Sequence, residues 1–128
     1  MDVQALHCDV LKSAGRKHLR GPRGTALLYV RPDFLQRLNP AQRDVFSAPW
    51  SPQGFDLRDD ARRFETSEVS FALLAGLGNA LQEMNRLGIE RVWEHVSRTS
   101  ARIRAALCEI PGICLHDLGA KQSGLIAF

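Results

Sequence analysis

The sequence predicts a mixed fold, between α/β and α+β, and three observations carry that prediction. Two short apolar runs flank a basic, glycine-punctuated stretch near the N-terminus. Two longer stretches repeat apolar residues at the three- and four-residue spacing of amphipathic helices. Between them, residues 31 to 60 hold Pro32, Pro40, Pro49 and Pro52, which leave little room for regular structure. With 128 residues, 45% of them hydrophobic, the chain is one domain or a piece of one and can bury a core.

Ala5 to Leu11 has the alternation of a short strand. From Lys12 to Gly24 the chain is polar and carries Gly15, Gly21, Pro22 and Gly24, the composition of a shaped loop. Thr25 to Val30 is almost continuously apolar and stops at Arg31-Pro32, as expected of a strand buried on both faces. The basic stretch therefore joins two strands. In the proline-rich crossing segment Trp50 and Phe55 are the expected anchors, and this segment is the candidate boundary between two structural units, residues 1–60 and 61–128.

Thr66 or Ser67 is placed to cap a helix over residues 67 to 86, with Glu68 in its first turn and Phe71, Leu74, Leu77, Leu81 and Met84 on its apolar face. Gly76 and Gly78 each disfavour a helix interior by about 1 kcal/mol relative to Ala, so both predict the close approach of a neighbouring segment. A second helix follows Gly88 over residues 89 to 109, with Ile89, Val92, Trp93, Val96, Ile103 and Leu107 on one face. It ends before Pro111-Gly112. Residues 113–116 and 123–128 have the composition of two short strands, and the second reaches the last residue without a stop signal, the pattern of a chain that continues. Strands need partners on their edges, so the expectation is a fragment whose remaining strands lie outside it.

The net charge is +3, and its excess is local: Lys12, Arg16, Lys17, Arg20 and Arg23 fall within residues 12 to 23 with no acid among them. Such a cluster invites a nucleic-acid reading. Against it, the stretch interleaves no aromatic rings for base stacking, and the charges on the two helices are balanced. Three cysteines, Cys8, Cys108 and Cys114, have no CxxC spacing, and with His7, His18, His95 and His116 they lack the pattern of a zinc site. No signal-peptide pattern opens the chain, and no apolar run approaches the roughly 20 residues of a membrane helix. The expectation is a cytoplasmic chain with reduced thiols, no metal, no nucleic acid and no membrane.

A lysine held by a glycine-rich turn between two strands is placed for chemistry with an aldehyde cofactor, and an adjacent arginine suits a phosphate group. Spacing alone does not separate Lys17 from Lys12. Residues 13–31, Ser-Ala-Gly-Arg-Lys-His-Leu-Arg-Gly-Pro-Arg-Gly-Thr-Ala-Leu-Leu-Tyr-Val-Arg, resemble the cofactor-lysine segment of the class V aminotransferases, in which a short segment ending in Lys precedes a Gly-Pro-x-Gly turn and an apolar strand. That group includes cysteine desulfurases and isopenicillin N epimerase-like proteins. The resemblance continues at Asp60-Ala61-Arg62-Arg63-Phe64-Glu65 and at Gly76-Leu77-Gly78-Asn79-Ala80-Leu81. It implies a fragment of a fold type I, pyridoxal 5'-phosphate (PLP) dependent transferase: two large-domain strands flanking the lysine loop, then the start of a small C-terminal α+β domain.

The resemblance further implies that Lys17 forms the imine with PLP, that Arg16 lies near the cofactor phosphate, that the substrate is an amino acid or derived from one, and that the full-length parent is a homodimer. Transamination, epimerisation and C–S lyase chemistry all begin from that arrangement. Two departures are visible. Ala14 stands where the family usually has Ser or Thr, and Thr66-Ser67-Glu68 follows Glu65 where desulfurases carry Gly-Thr. The family's ring-stacking His, pyridinium-pairing Asp and carboxylate-binding Arg have no counterparts in these residues, so the fragment is expected to be inactive alone; a non-catalytic dimerisation remnant is the alternative.

Overall fold

The computed structural model describes residues 2–128, which fall into two compact units, Met1–Leu81 and Gln82–Phe128. In the first unit β1 (Val10–Ala14) pairs antiparallel with β2 (Ala26–Val30), from Val10 opposite Val30 to Ala14 opposite Ala26. The first strand begins later than the sequence pattern suggests. Residues 3 to 7 are turn, Asp2 Oδ1 accepts from the Gln4 and Ala5 N–H groups, and His7 has a φ of 49°, which no strand residue adopts. The open end of the hairpin is closed by Arg31, whose N–H donates to the Asp9 carbonyl and whose guanidinium lies 2.8 Å from the Asp9 carboxylate. β2 is not buried on both faces: Val30 is buried, but Leu27 and Leu28 are each more than a third exposed, because the ribbon has only two strands to shield them.

Pro32 opens the one-turn helix α1 (Pro32–Leu35), where its fixed φ and missing N–H carry no penalty. The crossing segment that follows is irregular yet tightly bonded. Asp44 Oδ1 accepts from the Phe46 and Ser47 N–H groups, while Oδ2 accepts from both the N–H and the hydroxyl of Ser67, 23 residues on. Arg63 is buried and donates to the carbonyls of Arg58, Leu35 and Leu38. One carboxylate and one guanidinium thus supply the order that the proline-rich sequence denies to helix or strand. Arg63 belongs to a 3-10 turn, Ala61–Phe64, capped by Asp60, which accepts from the Arg62 N–H at 2.9 Å.

Between these knots β3 (Trp50–Ser51) and β4 (Gly54–Phe55) form a small hairpin. Trp50 and Phe55 are not anchors of an interior. They face each other edge-on, ring centroids 5.2 Å apart, and are 71% and 62% exposed.

The long helix α2 (Phe71–Leu87) starts four residues later than the capping pattern at Thr66-Ser67 suggests. Ser67 is committed to Asp44, and Ser70 takes the cap position, its hydroxyl accepting from the Leu73 N–H. Leu77 and Met84 are buried as the apolar stripe requires, whereas Phe71 and Leu74 stand exposed. Gly88, with φ of 83°, separates α2 from α3 (Ile89–Cys108), and only glycine holds that conformation without strain.

In the second unit the expected strands at 113–116 and 123–128 do not form. Their place is taken by an irregular strap on one backbone bond, His116 N–H to the Ala127 carbonyl. The reason is Arg104 of α3. It is buried, holds Asp117 at 2.6 Å, and occupies the Ser123 and Leu125 carbonyls that a strand partner would use. Among the described residues no helix is long and apolar enough to cross a membrane.

Candidate active site: a lysine turn on a glycine base

β1 and β2 diverge at Gly15 and Thr25, and the loop between them is shaped by its own backbone. Gly15 N–H donates to the Thr25 carbonyl at 2.9 Å, which extends the ladder one step past Ala14 and Ala26. Gly21 N–H then donates to the Gly15 carbonyl at 2.8 Å and pinches the base shut. Residues 16 to 20 are left as a compact excursion with internal bonds from Lys17 N–H to Ala14 and from Arg20 N–H to Lys17. Arg20 adopts φ of 58° and Gly24 φ of 86° to bring the chain back, and the Thr25 hydroxyl donates to the Pro22 carbonyl at 2.7 Å.

Glycine is required at both sides of the pinch by crowding. A Cβ on Gly15 would lie 2.2 Å from Thr25 Oγ1, and one on Gly21 would lie 2.9 Å from a Leu77 methyl. On the outside of this base Arg16, Lys17, His18, Arg20 and Arg23 are all exposed. Neither the Lys17 amine nor the Arg16 guanidinium has a hydrogen-bond or ion-pair partner among the described residues. The turn therefore presents a free primary amine beside a free guanidinium on a rigid footing, which is what a nucleophilic amine serving an anionic reagent needs.

Lys12 is set apart from this group. It lies in β1 opposite Leu28 and borders a cavity of about 370 Å³ with Ala26, Leu27, Leu28, Ala61, Phe64 and Glu65. Of the two lysines, Lys12 lies in the strand and Lys17 in the turn.

A family model described as Aminotransferase class-V matches residues 1–128. The chain belongs to the class V aminotransferases. Among class V relatives it is similar to a cysteine desulfurase of Dickeya dadantii, 34% identical over 134 residues, covering all of this chain and 31% of that protein. A probable cysteine desulfurase of Methanothermobacter thermautotrophicus is 30% identical over 129 residues, again covering all of this chain and 32% of the relative. Of solved structures, a C-DES mutant with glycine covalently linked to its PLP cofactor superposes with a TM-score of 0.87 at 26% identity, covering 98% of this chain and 34% of that one. The cysteine desulfurase CsdA from Escherichia coli gives 0.78 at 25% identity, covering 98% and 31%. The chain spans about a third of the length of the relatives it matches. Its mixed α/β architecture is that of the corresponding third of these class V structures.

The two departures from the class V pattern can be placed. Ser13 and Ala14 are successive residues of β1, so their side chains leave opposite faces of the ribbon and Ser13 does not substitute for a hydroxyl at position 14. Thr66-Ser67-Glu68 lies outside helix and strand with a bend at Ser67, whose hydroxyl is spent on Asp44 and so serves the chain's own crossing segment.

Sequence reasoning placed Leu77 on a helix face and Thr25 in a strand without linking either to the lysine turn, and did not name Asp44. A glycine that a side chain would overfill is a signal for such contacts. It works at Gly76, where an added Cβ would meet the Pro22 ring at 2.7 Å, and fails at Gly78, which faces open space.

Proposed function

We propose that this chain is the cofactor-lysine portion of a PLP-dependent class V enzyme acting on an amino acid or an amino-acid-derived substrate. In this reading Lys17 carries the cofactor and Arg16 attends its phosphate. The observation that carries the proposal is the position of Lys17: a free amine at the crest of a turn whose two feet are bonded together, Gly21 N–H to Gly15 carbonyl. The residues fit the group, because an unpaired amine meets an aldehyde and an unpaired guanidinium meets a phosphate within one short excursion. Ala14 leaves one phosphate donor fewer than the family pattern.

Bound PLP supplies an aldehyde for attachment of an amine and a ring that accepts electrons. Lys17 Nζ would hold the cofactor through that aldehyde and, as a free amine, would be the base for the proton at the substrate α-carbon. Arg16 would hold the cofactor phosphate. Family membership and the cysteine desulfurase relatives favour C–S bond cleavage as the reaction; transamination and epimerisation need the same two residues. The proposal extends to a homodimeric full-length parent, with residues 1–60 ending its PLP-binding large domain and residues 61–128 beginning the small one.

Borohydride reduction of the full-length parent in the presence of PLP, followed by peptide mapping, tests the assignment. The expected result is a pyridoxyl group on Lys17. A pyridoxyl group recovered on Lys12 or Lys121, with Lys17 unmodified, would overturn it.

A further inference from the structure

We infer that Leu77 is a positioning residue for Lys17, the floor on which the lysine turn stands. This rests on the reading of Lys17 as the reacting amine. The turn's own bonds, the Gly15–Gly21 pinch and those from Lys17 N–H to Ala14 and Arg20 N–H to Lys17, tie it only to itself and to the hairpin end, and what lies beneath the pinch is one edge of α2. Leu77 is buried, and its Cδ1 methyl is the atom that a side chain at either foot would strike, at 3.0 Å from a Cβ on Gly15 and 2.9 Å from one on Gly21.

The neighbouring turns of the helix extend the same contact. Gly76 lets the Pro22 ring come within 2.7 Å of where its own Cβ would stand, and the Leu73 methyl lies 3.5 Å from the corresponding point on Gly24. Leu73, Gly76 and Leu77 are spaced i, i+3 and i+4, so they form one continuous edge of the helix. That edge touches the loop at four places, all of them glycine or proline.

The consequence for chemistry follows from the absence of slack. Both feet of the excursion are glycines, whose backbones are otherwise free to swing. With the Leu77 methyl filling the space below them, the feet hold one height and the crest holds one direction. Removing the methyl opens a void directly under the feet, and the turn gains freedom to tilt. A tilt of the crest displaces the Lys17 amine from whatever it attacks, and displacements of about 1 Å cost about a hundredfold in rate. Leu77 touches no substrate in this account and acts only through the turn.

The test compares the full chain with Leu77→Ala, Leu77→Met and Gly76→Ala by two measurements that need no turnover. The first is amide hydrogen exchange at Gly21 and Gly15, with the Arg31 N–H, bonded to Asp9 at the far end of the hairpin, as reference. The second is competitive acylation of the three lysines, scored as Lys17 against Lys12 and Lys121. Leu77→Ala and Gly76→Ala are expected to speed exchange at Gly21 about tenfold while Arg31 keeps its protection, and to shift the Lys17 labelling ratio; Leu77→Met, which refills the space, is expected to restore both.

Wild-type exchange and labelling in folded Leu77→Ala would overturn the inference. So would equal acceleration of all amides, which marks a merely structural role. If Leu77→Ala does not fold, Leu77→Val, which removes less of the side chain, decides between the same outcomes. Failure of the Lys17 assignment is separable, because it shows as a pyridoxyl group on another lysine whatever the exchange result.

Discussion

Asp44 ties the crossing segment to itself and to Ser67 through one side chain. Five donors from Phe46, Ser47 and Ser67 converge on its two oxygens. The Ser67 main-chain N–H, and after it that of Ser47, hold its carboxyl well below the usual carboxylate range. The folded state therefore binds the proton less readily than the unfolded chain, whose Asp titrates near about 3.9. The stabilisation is complete above that value and drains away as the pH falls through it toward the lower folded pKa. Asp117 acts in the same direction, chiefly through the Arg104 side chain and then the Ala127 N–H. Asp44→Asn keeps one carbonyl acceptor and loses the ionisation. We expect the variant to be less stable at pH 7 and to have a flatter acid limb between about pH 5 and 2. Circular dichroism against pH measures both, and superimposable acid limbs for the two proteins would contradict the role given to Asp44.

At the scale of elements, the two glycines of α2 make opposite predictions. Gly76 faces the Pro22 ring, 2.7 Å from where a Cβ would stand, so a side chain there must push the ring aside, whereas Gly78 has nothing within 4 Å of its missing Cβ. Gly78→Ala is expected to raise stability by about 0.5–1 kcal/mol, by removing a helix-disfavouring residue at no steric cost; a thermal melt that fell would show a contact not visible in this geometry. The same helix shows what a sequence discloses. α2 and α3 were legible because Leu77, Leu81 and Met84, or Val92 and Val96, recur with the helical period whatever surrounds them. β2 was legible as an apolar run and the lysine turn from its glycines. The start of β1 was not, since the left-handed His7 leaves no mark in hydrophobic pattern. The C-terminal strap was not either, because one arginine, Arg104, takes the carbonyls of residues whose composition is that of strands. Position-specific polar bonds of this kind have no periodicity to detect. For the site, the residue types at 16 and 17 were readable, while the support beneath them, Leu77 and Thr25, depends on distant segments meeting.

For the whole molecule the decisive quantity is how much of the site the chain supplies by itself. On the proposed assignment Lys17 offers attachment, but an exposed amine on an exposed turn gives a cofactor no enclosure, and Ala14 offers no hydroxyl to a phosphate. We expect these 128 residues to bind PLP weakly and to turn over no amino acid. Titration with PLP, followed by absorbance in the wild type and in Lys17→Ala, decides the matter: tight Lys17-dependent binding with turnover would refute this expectation. Apolar side chains left open on both units, Leu28 and Phe71 in the first and Leu118 and Leu125 in the second, are expected to make the chain self-associate with rising concentration. Light scattering across a dilution series measures this.

The edge-on pair of Trp50 and Phe55 has a consequence for spectroscopy. The chain has two tryptophans, and Trp93 on α3, like Trp50, is more than half exposed. Indoles already in contact with water emit toward the red end of their range, so denaturant should change the emission colour little, and intrinsic fluorescence will report unfolding poorly. The same property makes the hairpin a sensor of association. Any body that settles over Trp50 strips its water and moves its emission to the blue, and replacing Trp93 with Phe isolates that signal to one side chain.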